Sequence, residues 1–562
     1  MPNVKVITEN GKETVLQREA VAHIYPANCV NCGTCRESCP VEAIEEVQRE
    51  ICRVCPGCTD KPAQTFKTMH AFTTRQSCTT ACPLGISPQG YVNLMKAGKE
   101  KEAYQLVWSK NPLPSVCARI CHHPCEQVCK RGALIDEPIA IRGMKRYLSE
   151  NVDYTPTKYP VLYEERIAVI GAGPAGLAAG HFLSQAGYEV TVFESRSEAG
   201  GMLKKGIPEF RLDRSAVDRD IAKLEEAGLT IQYNTPISKA EIAQLEKDYD
   251  VIVVAAGTPH SRELKIPGFR YDGVVTALDF MGNVNHHEYL MKNPHQVFDL
   301  KGEVVVIGGG SVAIDTARAA LRCGASRVTV ACLEQGDAIP CHKWELEEAR
   351  EEGIEIMEGV SPIRYEGAYT TLSGVTFAKV TSYNKDESGK ISFTTDENDK
   401  VTIPASWSIT AIGQYADNFY PVEDKKKVFY VGDISKSSCS VIDAMASARK
   451  VSYEIDAVLR GRTTKDAEMK HTIEAAPLEE KIYPFNRRRI VRNEIPTLPV
   501  EERVKSFDEV EQTFSEKQAY EESLRCLNCG YELVDTTKCI GCGLCQKLCP
   551  IGNVITMVAK EE

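Results

Sequence analysis

The chain has 562 residues, a formal net charge of −11 and 43% hydrophobic residues. That length accommodates roughly three to five domains of about 100–200 residues each, and the acidic balance argues against a nucleic-acid-binding surface. No apolar run approaches the roughly 20 residues of a membrane helix, and the opening MPNVKVITENGKE lacks an apolar signal core. A cytoplasmic protein is expected, with clustered cysteines serving as metal ligands rather than as a disulfide framework.

Nineteen of the 23 cysteines fall in two terminal blocks. The first opens with Cys29, Cys32, Cys35 and Cys39 before Pro40, and the spacing returns as Cys539, Cys542, Cys545 and Cys549 before Pro550. In a C-x2-C-x2-C-x3-C-P run three thiolates wrap one iron–sulfur cubane and the fourth serves a neighbouring cluster. Zinc sites usually supply two separated pairs, and neither run has that form. Both runs resemble bacterial-type ferredoxin domains, expected over 1–60 and 521–562. Each end carries further cysteines. Cys52, Cys55 and Cys58 form a second C-x2-C-x2-C; if it completes a two-cluster ferredoxin, Cys39 is its fourth ligand, and Cys29, Cys32 and Cys35 need one from elsewhere. Cys526 and Cys529 bring the C-terminal set to six, too many for one cubane and too few for two. Ligand assignment at both ends is open.

A second segment carries Cys78, Cys82, Cys117, Cys121, Cys125 and Cys129. Between its cysteine-rich turns, Tyr91 to Lys110 is expected to be helical, with Leu94, Ala103, Leu106 and Val107 on an apolar face. The stretches NPLPSVCARIC and PCEQVCKRG resemble the helical iron–sulfur domain of the glutamate synthase small-subunit family, expected over 61–155. The resemblance implies two cubanes leading to FAD. By position, Cys82, Cys121 and Cys125 ligate one, with Cys117 as fourth ligand. Cys78 and Cys129 ligate the other, completed by two of Cys52, Cys55 and Cys58. The nineteen cysteines allow four or five [4Fe–4S] clusters.

Two dinucleotide fingerprints follow. The strand RIAVI runs into Gly171, Gly173, Pro174, Ala175 and Gly176 and then a helix. Such glycines allow a tight turn and close backbone approach, with the helix N-terminus facing a pyrophosphate. The next strand ends at Glu194, 18 residues after Gly176, where a carboxylate takes ribose hydroxyls. The family resemblance makes this ligand FAD and adds Gly201 and Arg211 (in GGMLKKGIPEFRL), Gly257 (in VVAAGT), and Gly432 and Asp433 (in VFYVGD). The second fingerprint follows EVVVI: Gly308, Gly310, Ser311 and Ala313. Its following strand leads to Glu334, 21 residues past Ala313. An acid there accepts bonds from the ribose diol of NAD and repels the 2′-phosphate of NADP, so NADH is expected, although His342 and Lys343 lie near enough in sequence to meet a phosphate. Gly413, in TAIGQ, resembles the family's linker strand near the nicotinamide.

The fold expected is α/β: two nested Rossmann-like domains, for FAD at 160–285 and 409–465 and for NAD at 286–408, behind the helical iron–sulfur domain and between small ferredoxin-like domains. A charged linker, 466–520, is expected to wrap the surface. No catalytic side chain is expected, because in the family FAD itself accepts the hydride. The resemblance implies an electron-transfer subunit linking NAD(H) to ferredoxin or to a catalytic partner in a hetero-oligomer. Two ferredoxin ends suggest two electron exits and hence electron bifurcation. The rivals are a true glutamate synthase small subunit using NADPH, and a non-catalytic electron-relay scaffold.

Overall fold

The structure is a computed structural model that describes residues 4–9, 12–18, 20–25, 29, 32, 34–39, 43–48, 78–291, 300–386, 391–416, 428–435, 440–461, 490–534, 544–550 and 554–559. A hairpin, β1 (Val4–Glu9) and β2 (Lys12–Arg18), leads to β3 (Ala20–Ile24), a short α1 (Thr34–Glu37) and β4 (Ile44–Gln48). The helical unit begins with α2 (Cys78–Ala81), α3 (Pro88–Lys96) and α4 (Glu100–Trp108). It continues through α5 (Pro114–Ile120), α6 (Pro124–Gln127), α7 (Lys130–Leu134) and α8 (Ile141–Asn151). The single helix expected from Tyr91 to Lys110 is therefore two. Gly98, at φ +67°, breaks it, a conformation glycine adopts without the strain other residues meet.

The FAD-type unit is a parallel sheet in the order β19-β8-β5-β6-β7. Its strands are β5 (Arg166–Ile170), β6 (Glu189–Phe193), β7 (Thr230–Gln232), β8 (Val251–Val254) and, far downstream, β19 (Val428–Tyr430). In both RIAVI and EVTVF the last four residues are buried, the pattern of a parallel strand covered on both faces. The covering helices include α9 (Pro174–Ala186), α10 (Met202–Lys205), α11 (Arg214–Glu226) and α12 (Lys239–Asp248). A two-residue strand β9 (His260–Ser261) follows.

The nicotinamide-type unit has the parallel order β10-β17-β11-β12-β13. It consists of β10 (Val274–Thr276), α13 (Ala277–Met291), β11 (Glu303–Ile307), α14 (Ser311–Arg322), β12 (Arg327–Ala331), α15 (Lys343–Glu351) and β13 (Glu355–Met357). The antiparallel β14 (Val360–Ala368), β15 (Thr371–Lys385) and β16 (Ile391–Pro404) come next, before β17 (Trp407–Thr410). Strand β18 (Gln414–Tyr415) pairs with β9, so the two crossings between units run side by side. This corrects the expected borders. The border at 285/286 falls inside α13, and both β10 and β17 pair into the nicotinamide sheet. The unit thus begins before 286 and extends past 408, because its edge strand comes from the chain that enters it. Helix α16 (Val441–Arg460) returns to pack on α9.

The expected charged linker is a second correction. Residues 462–489 lie outside the described residues, but 490–514 is a strap with Arg503, Phe507, Val510 and Phe514 buried. Phe507 packs 6.0 Å from the Phe210 ring, and Val510 N–H donates to the Phe210 carbonyl at 2.9 Å. Glu509 pairs with Arg119 at 2.5 Å and Arg146 at 2.7 Å, and Glu511 accepts from Arg142 at 2.6 Å. Arg503, Glu509 and Glu511 meet partners inside the molecule, while Glu494, Glu501, Glu502, Lys505 and Asp508 face water.

Helix α17 (Glu516–Ser523) leads to β20 (Gly530–Val534), α18 (Leu544–Leu548) and β21 (Ile555–Ala559). Strand β20 pairs antiparallel with β4, and β21 with β3; α1 packs on α18. The two ferredoxin-like ends, expected as separate domains, are halves of one. Each half is a strand–helix–strand unit too small to bury a core alone. Among the described residues, no helix is long and apolar enough to cross a membrane.

Candidate functional site

The first glycine turn brings backbone close together at the start of α9 and leaves space in front of it. Gly171 sits at φ +100°, where a Cβ would stand 2.7 Å from the Ala255 carbonyl. At Gly176 a Cβ would fall 1.8 Å from the Gly171 carbonyl oxygen, so only glycine lets α9 start this close to β5. Gly173 is the opposite case: nothing lies within 4 Å of its would-be Cβ. That open space faces the N-terminus of α9, where Pro174 occupies the first turn and orphan N–H groups favour an anion. Gly201, at φ +54°, lies against this turn, its would-be Cβ 3.1 Å from Gly173 Cα. Gly432 packs on Ala175 and donates its N–H to the Ser447 hydroxyl at 2.8 Å. Glu194 is buried at the end of β6; it accepts from Ala172 N–H at 2.8 Å and from Arg196 N–H at 3.0 Å. Asp433 follows Gly432 in a half-buried turn, and Gly257, at φ +68°, has open space around its Cβ position. These residues meet at one end of the sheet and fit a dinucleotide.

Arg211 does not join them, contrary to expectation. Its guanidinium donates to Asp315 at 2.8 and 3.0 Å and pairs with Glu345 at 2.8 Å, with its cation 5.3 Å from the Trp344 ring centre. Two buried carboxylates of the nicotinamide unit draw it across the domain border.

The second turn repeats the first. Gly308 is at φ +140° with its would-be Cβ 2.4 Å from the Ala411 carbonyl, and Gly310 has nothing within 4 Å. Ser311 opens α14 and donates to Glu345 at 2.5 Å; Ala313 is wholly buried behind it. Glu334 is only 6% exposed. One of its oxygens stands 3.0 Å from the would-be Cβ of Gly309, and the other accepts from the Tyr383 hydroxyl at 3.2 Å. Glu334 thus overhangs its turn as Glu194 overhangs the first. Gly413, at φ +102°, accepts from Arg262 N–H at 2.9 Å in the interdomain crossing. Lys343 is exposed and pairs with Asp337 at 2.7 Å.

The cysteines form separate groups. Among the described residues, no three Cys, His, Asp or Glu side chains converge on a single-ion site. One group is Cys82, Cys117, Cys121 and Cys125. Buried Lys145 faces all four sulfurs: burial works against its charge, but the sulfurs prevail and its pKa rises. This group lies beside α16, since α5, which carries Cys117, packs on that helix and Arg449 of α16 donates to the Leu84 carbonyl. In the ferredoxin unit, burial raises the Cys32 thiol to about 12, with the neighbouring Cys549 and Cys29 adding to the rise. Cys35, Cys39 and Cys545 are buried in the same core. Cys52, Cys55, Cys58, Cys539 and Cys542 lie outside the described residues. The partners expected for Cys78 and Cys129, two of Cys52, Cys55 and Cys58, are thus among them; one cavity, of about 40 Å³, is lined by Cys78, Cys129, Cys526 and Cys529. Spacing along the chain carried no signal for that meeting.

A fold with two glycine turns, two overhanging acids and grouped buried cysteines defines a flavin- and nicotinamide-dependent iron–sulfur oxidoreductase. The chain belongs to the pyridine nucleotide-disulphide oxidoreductase family, whose model matches residues 165–448, in its glutamate synthase small-subunit-like branch. Residues 70–156 match the family described as "Dihydroprymidine dehydrogenase domain II, 4Fe-4S cluster", and 22–45 and 532–554 match "4Fe-4S binding domain". The chain is 31% identical to the NADP(+)-dependent formate dehydrogenase subunit beta of Moorella thermoacetica, over 80% of this chain and 70% of that one. It is 30% identical to the NAD-dependent dihydropyrimidine dehydrogenase subunit PreT of Escherichia coli O157:H7, over 75% and 95%. It is also 30% identical to the NADPH glutamate synthase small chain of Halomonas elongata, over 63% and 76%. Its cofactors are FAD, a nicotinamide nucleotide and [4Fe–4S] clusters.

Proposed function

We propose that this chain takes electrons from NADH and delivers them singly, through its clusters, to ferredoxin or to a catalytic partner subunit in the cytoplasm. The chemistry supplied by bound FAD is exchange between a two-electron hydride and single electrons. Gly171, Gly173 and Gly176 shape its pyrophosphate turn, with Pro174 and Ala175 opening the helix. Glu194 takes the ribose hydroxyls, while Gly201, Gly257, Gly432 and Asp433 line the rest. Gly308, Gly310, Ser311 and Ala313 form the corresponding nicotinamide turn, with Glu334 on the ribose and Gly413 at the crossing. Cys82, Cys117, Cys121 and Cys125 hold the cluster nearest α16. In the ferredoxin unit each run lends its last cysteine to the other, as two-cluster ferredoxins do: Cys29, Cys32 and Cys35 with Cys549, and Cys539, Cys542 and Cys545 with Cys39.

The observation that carries this reading is the succession of buried and half-buried cysteine groups leading from α16 to a domain made by both chain ends. That domain is one outlet. The case for bifurcation rested on two, so linear transfer is the better reading. The reading is tested anaerobically with purified protein. NADH should bleach the flavin and then reduce the clusters. Gly173→Glu, which fills the open phosphate space, should abolish flavin binding and NADH-driven cluster reduction while dithionite still reduces the clusters. Cluster reduction by NADH in flavin-free protein would refute it.

A further inference from the structure

Between the cysteine group beside α16 and the ferredoxin unit lies the cavity lined by Cys78, Cys129, Cys526 and Cys529. The two pairs come from opposite ends of the chain. The descending segment is fastened there by more than its cysteines. Arg525, immediately before Cys526, is wholly buried. It donates to Glu522 at 2.7 Å, Asp136 at 3.0 Å and the carbonyls of Pro138 and Glu137 at 3.0 and 2.8 Å. In return, buried Arg131 donates to the Arg525 carbonyl at 2.8 Å, and Glu522 accepts from Ala140 N–H at 2.9 Å. Asn93 on α3 donates to Cys526 Sγ at 3.3 Å, a bond suited to a thiolate acceptor. Asn528, between the two cysteines, takes the left-handed φ of +50°, which asparagine tolerates. It turns the CLNC loop so that both cysteines line the cavity.

We infer that Cys78, Cys129, Cys526 and Cys529 together ligate one [4Fe–4S] cluster, completed by residues almost four hundred positions downstream, and that this cluster joins the helical unit to the ferredoxin unit. The number of donors matches a cubane, one thiolate for each iron. The position also matches a relay. Buried Tyr91 of α3 has Cys78 of this group and Cys82 and Cys125 of the one beside α16 as neighbours, and its hydroxyl donates to the Ile141 carbonyl at 3.3 Å. On the other side, Asn528 donates to the Cys29 carbonyl at 2.9 Å, and a Cβ at Gly90 would meet Cys32 Cα at 2.8 Å. The side chains of Asn528 and Gln89 close that gap by a hydrogen bond. The inference rests on the electron-transfer reading above, but its test does not use NADH.

Full-length, anaerobically reconstituted protein is compared with Cys526→Ser/Cys529→Ser, Cys78→Ser/Cys129→Ser and the quadruple variant. Each double variant should lose about four iron per chain, at four per cubane, with the same component missing from the dithionite-reduced EPR spectrum. The quadruple variant should lose no more than either double. Unchanged iron in Cys526→Ser/Cys529→Ser, about eight lost in the quadruple, or zinc in place of iron would overturn the assignment. A variant that fails to fold is bypassed by alkylating the wild type before and after oxidative cluster removal. The four thiols should become reactive together; if Cys526 and Cys529 react in the intact protein while Cys78 and Cys129 stay protected, the proposal fails. Flavin bleaching by NADH, measured separately, should persist in the Cys526→Ser/Cys529→Ser variant, so loss of the relay and failure of the nicotinamide reading give different results.

Discussion

We propose that cofactor choice turns on Glu334. The relatives' names divide between NAD and NADP, so the site must decide. Its carboxylate is buried at the end of β12, above Gly309, with the Tyr383 hydroxyl donating to one oxygen. The NAD ribose diol would add two hydrogen bonds, whereas an NADP phosphate would bring like charge into a desolvated space. A hydrogen bond to a charged group contributes about 1.5–3 kcal/mol, and about 1.4 kcal/mol is a factor of ten. Even one such bond should lead the wild type to favour NADH by roughly tenfold to a hundredfold in kcat/KM with an artificial acceptor, and two by more. Replacing Leu333 and Glu334 with arginines should reverse the trend, because guanidinium groups pair with phosphate. A wild-type preference for NADPH, or an unchanged ratio in the double variant, would remove Glu334 from this role. Arg211 shows the limit of reading single residues: a family segment suggested the flavin, but its partners, Asp315 and Glu345, lie more than a hundred residues ahead.

At the scale of elements, the strap over α14 and α15 is held by a buried charge cluster. Glu352 bonds Arg318 and Arg322 at 2.6 and 2.7 Å, and Arg503 of the strap adds a third cation at 3.1 Å. Burial alone would raise the Glu352 carboxyl; Arg322 and Arg318 outweigh it and hold it at about 2. The folded pKa is thus depressed. The stability it contributes is complete above the ordinary value of 4.5 and is lost as pH falls through about 2. Glu352→Gln should remove this acid-side dependence. It should also lower the opening free energy of α14 and the strap by about 3–5 kcal/mol, the cost of leaving buried cations without their anion, as read by native-state hydrogen exchange. Equal protection in variant and wild type would mean that the strap is held by its other contacts, Phe507, Val510 and the ion pairs of Glu509 and Glu511. Glu509 and Glu511 looked like part of a solvated surface, as Glu501, Glu502, Lys505 and Asp508 are, because a charge run reads the same whether its partners are water or arginines elsewhere in the chain.

Over the whole molecule, what was legible was local. Glycine turns, terminal acids and C-x2-C runs each need a fixed spacing, so the sequence displayed them. Helix breaks such as Gly98 and sheet borders such as β10 were less visible, since backbone pairing decides them. Least visible was the joining of the ends. A cubane requires four sulfurs near one another in space, and the distance along the chain between Cys129 and Cys526 says nothing about that. The pairing of β4 with β20 and β3 with β21 has a consequence that separate end domains do not share. Ending the chain after Cys529 removes Cys539, Cys542, Cys545 and Cys549, but also strips β3 and β4 of their partners and, under the proposed ligand sharing, leaves Cys29, Cys32 and Cys35 without Cys549 as fourth ligand. Independent domains would lose one cluster, about four iron at four per cubane. A shared domain should lose two, about eight, while Cys526 and Cys529 remain to serve the relay. Iron analysis of the reconstituted shortened chain, with EPR of its dithionite-reduced form, separates the two cases. An N-terminal cluster that survives intact would mean that each end folds alone, and the single outlet would again be two.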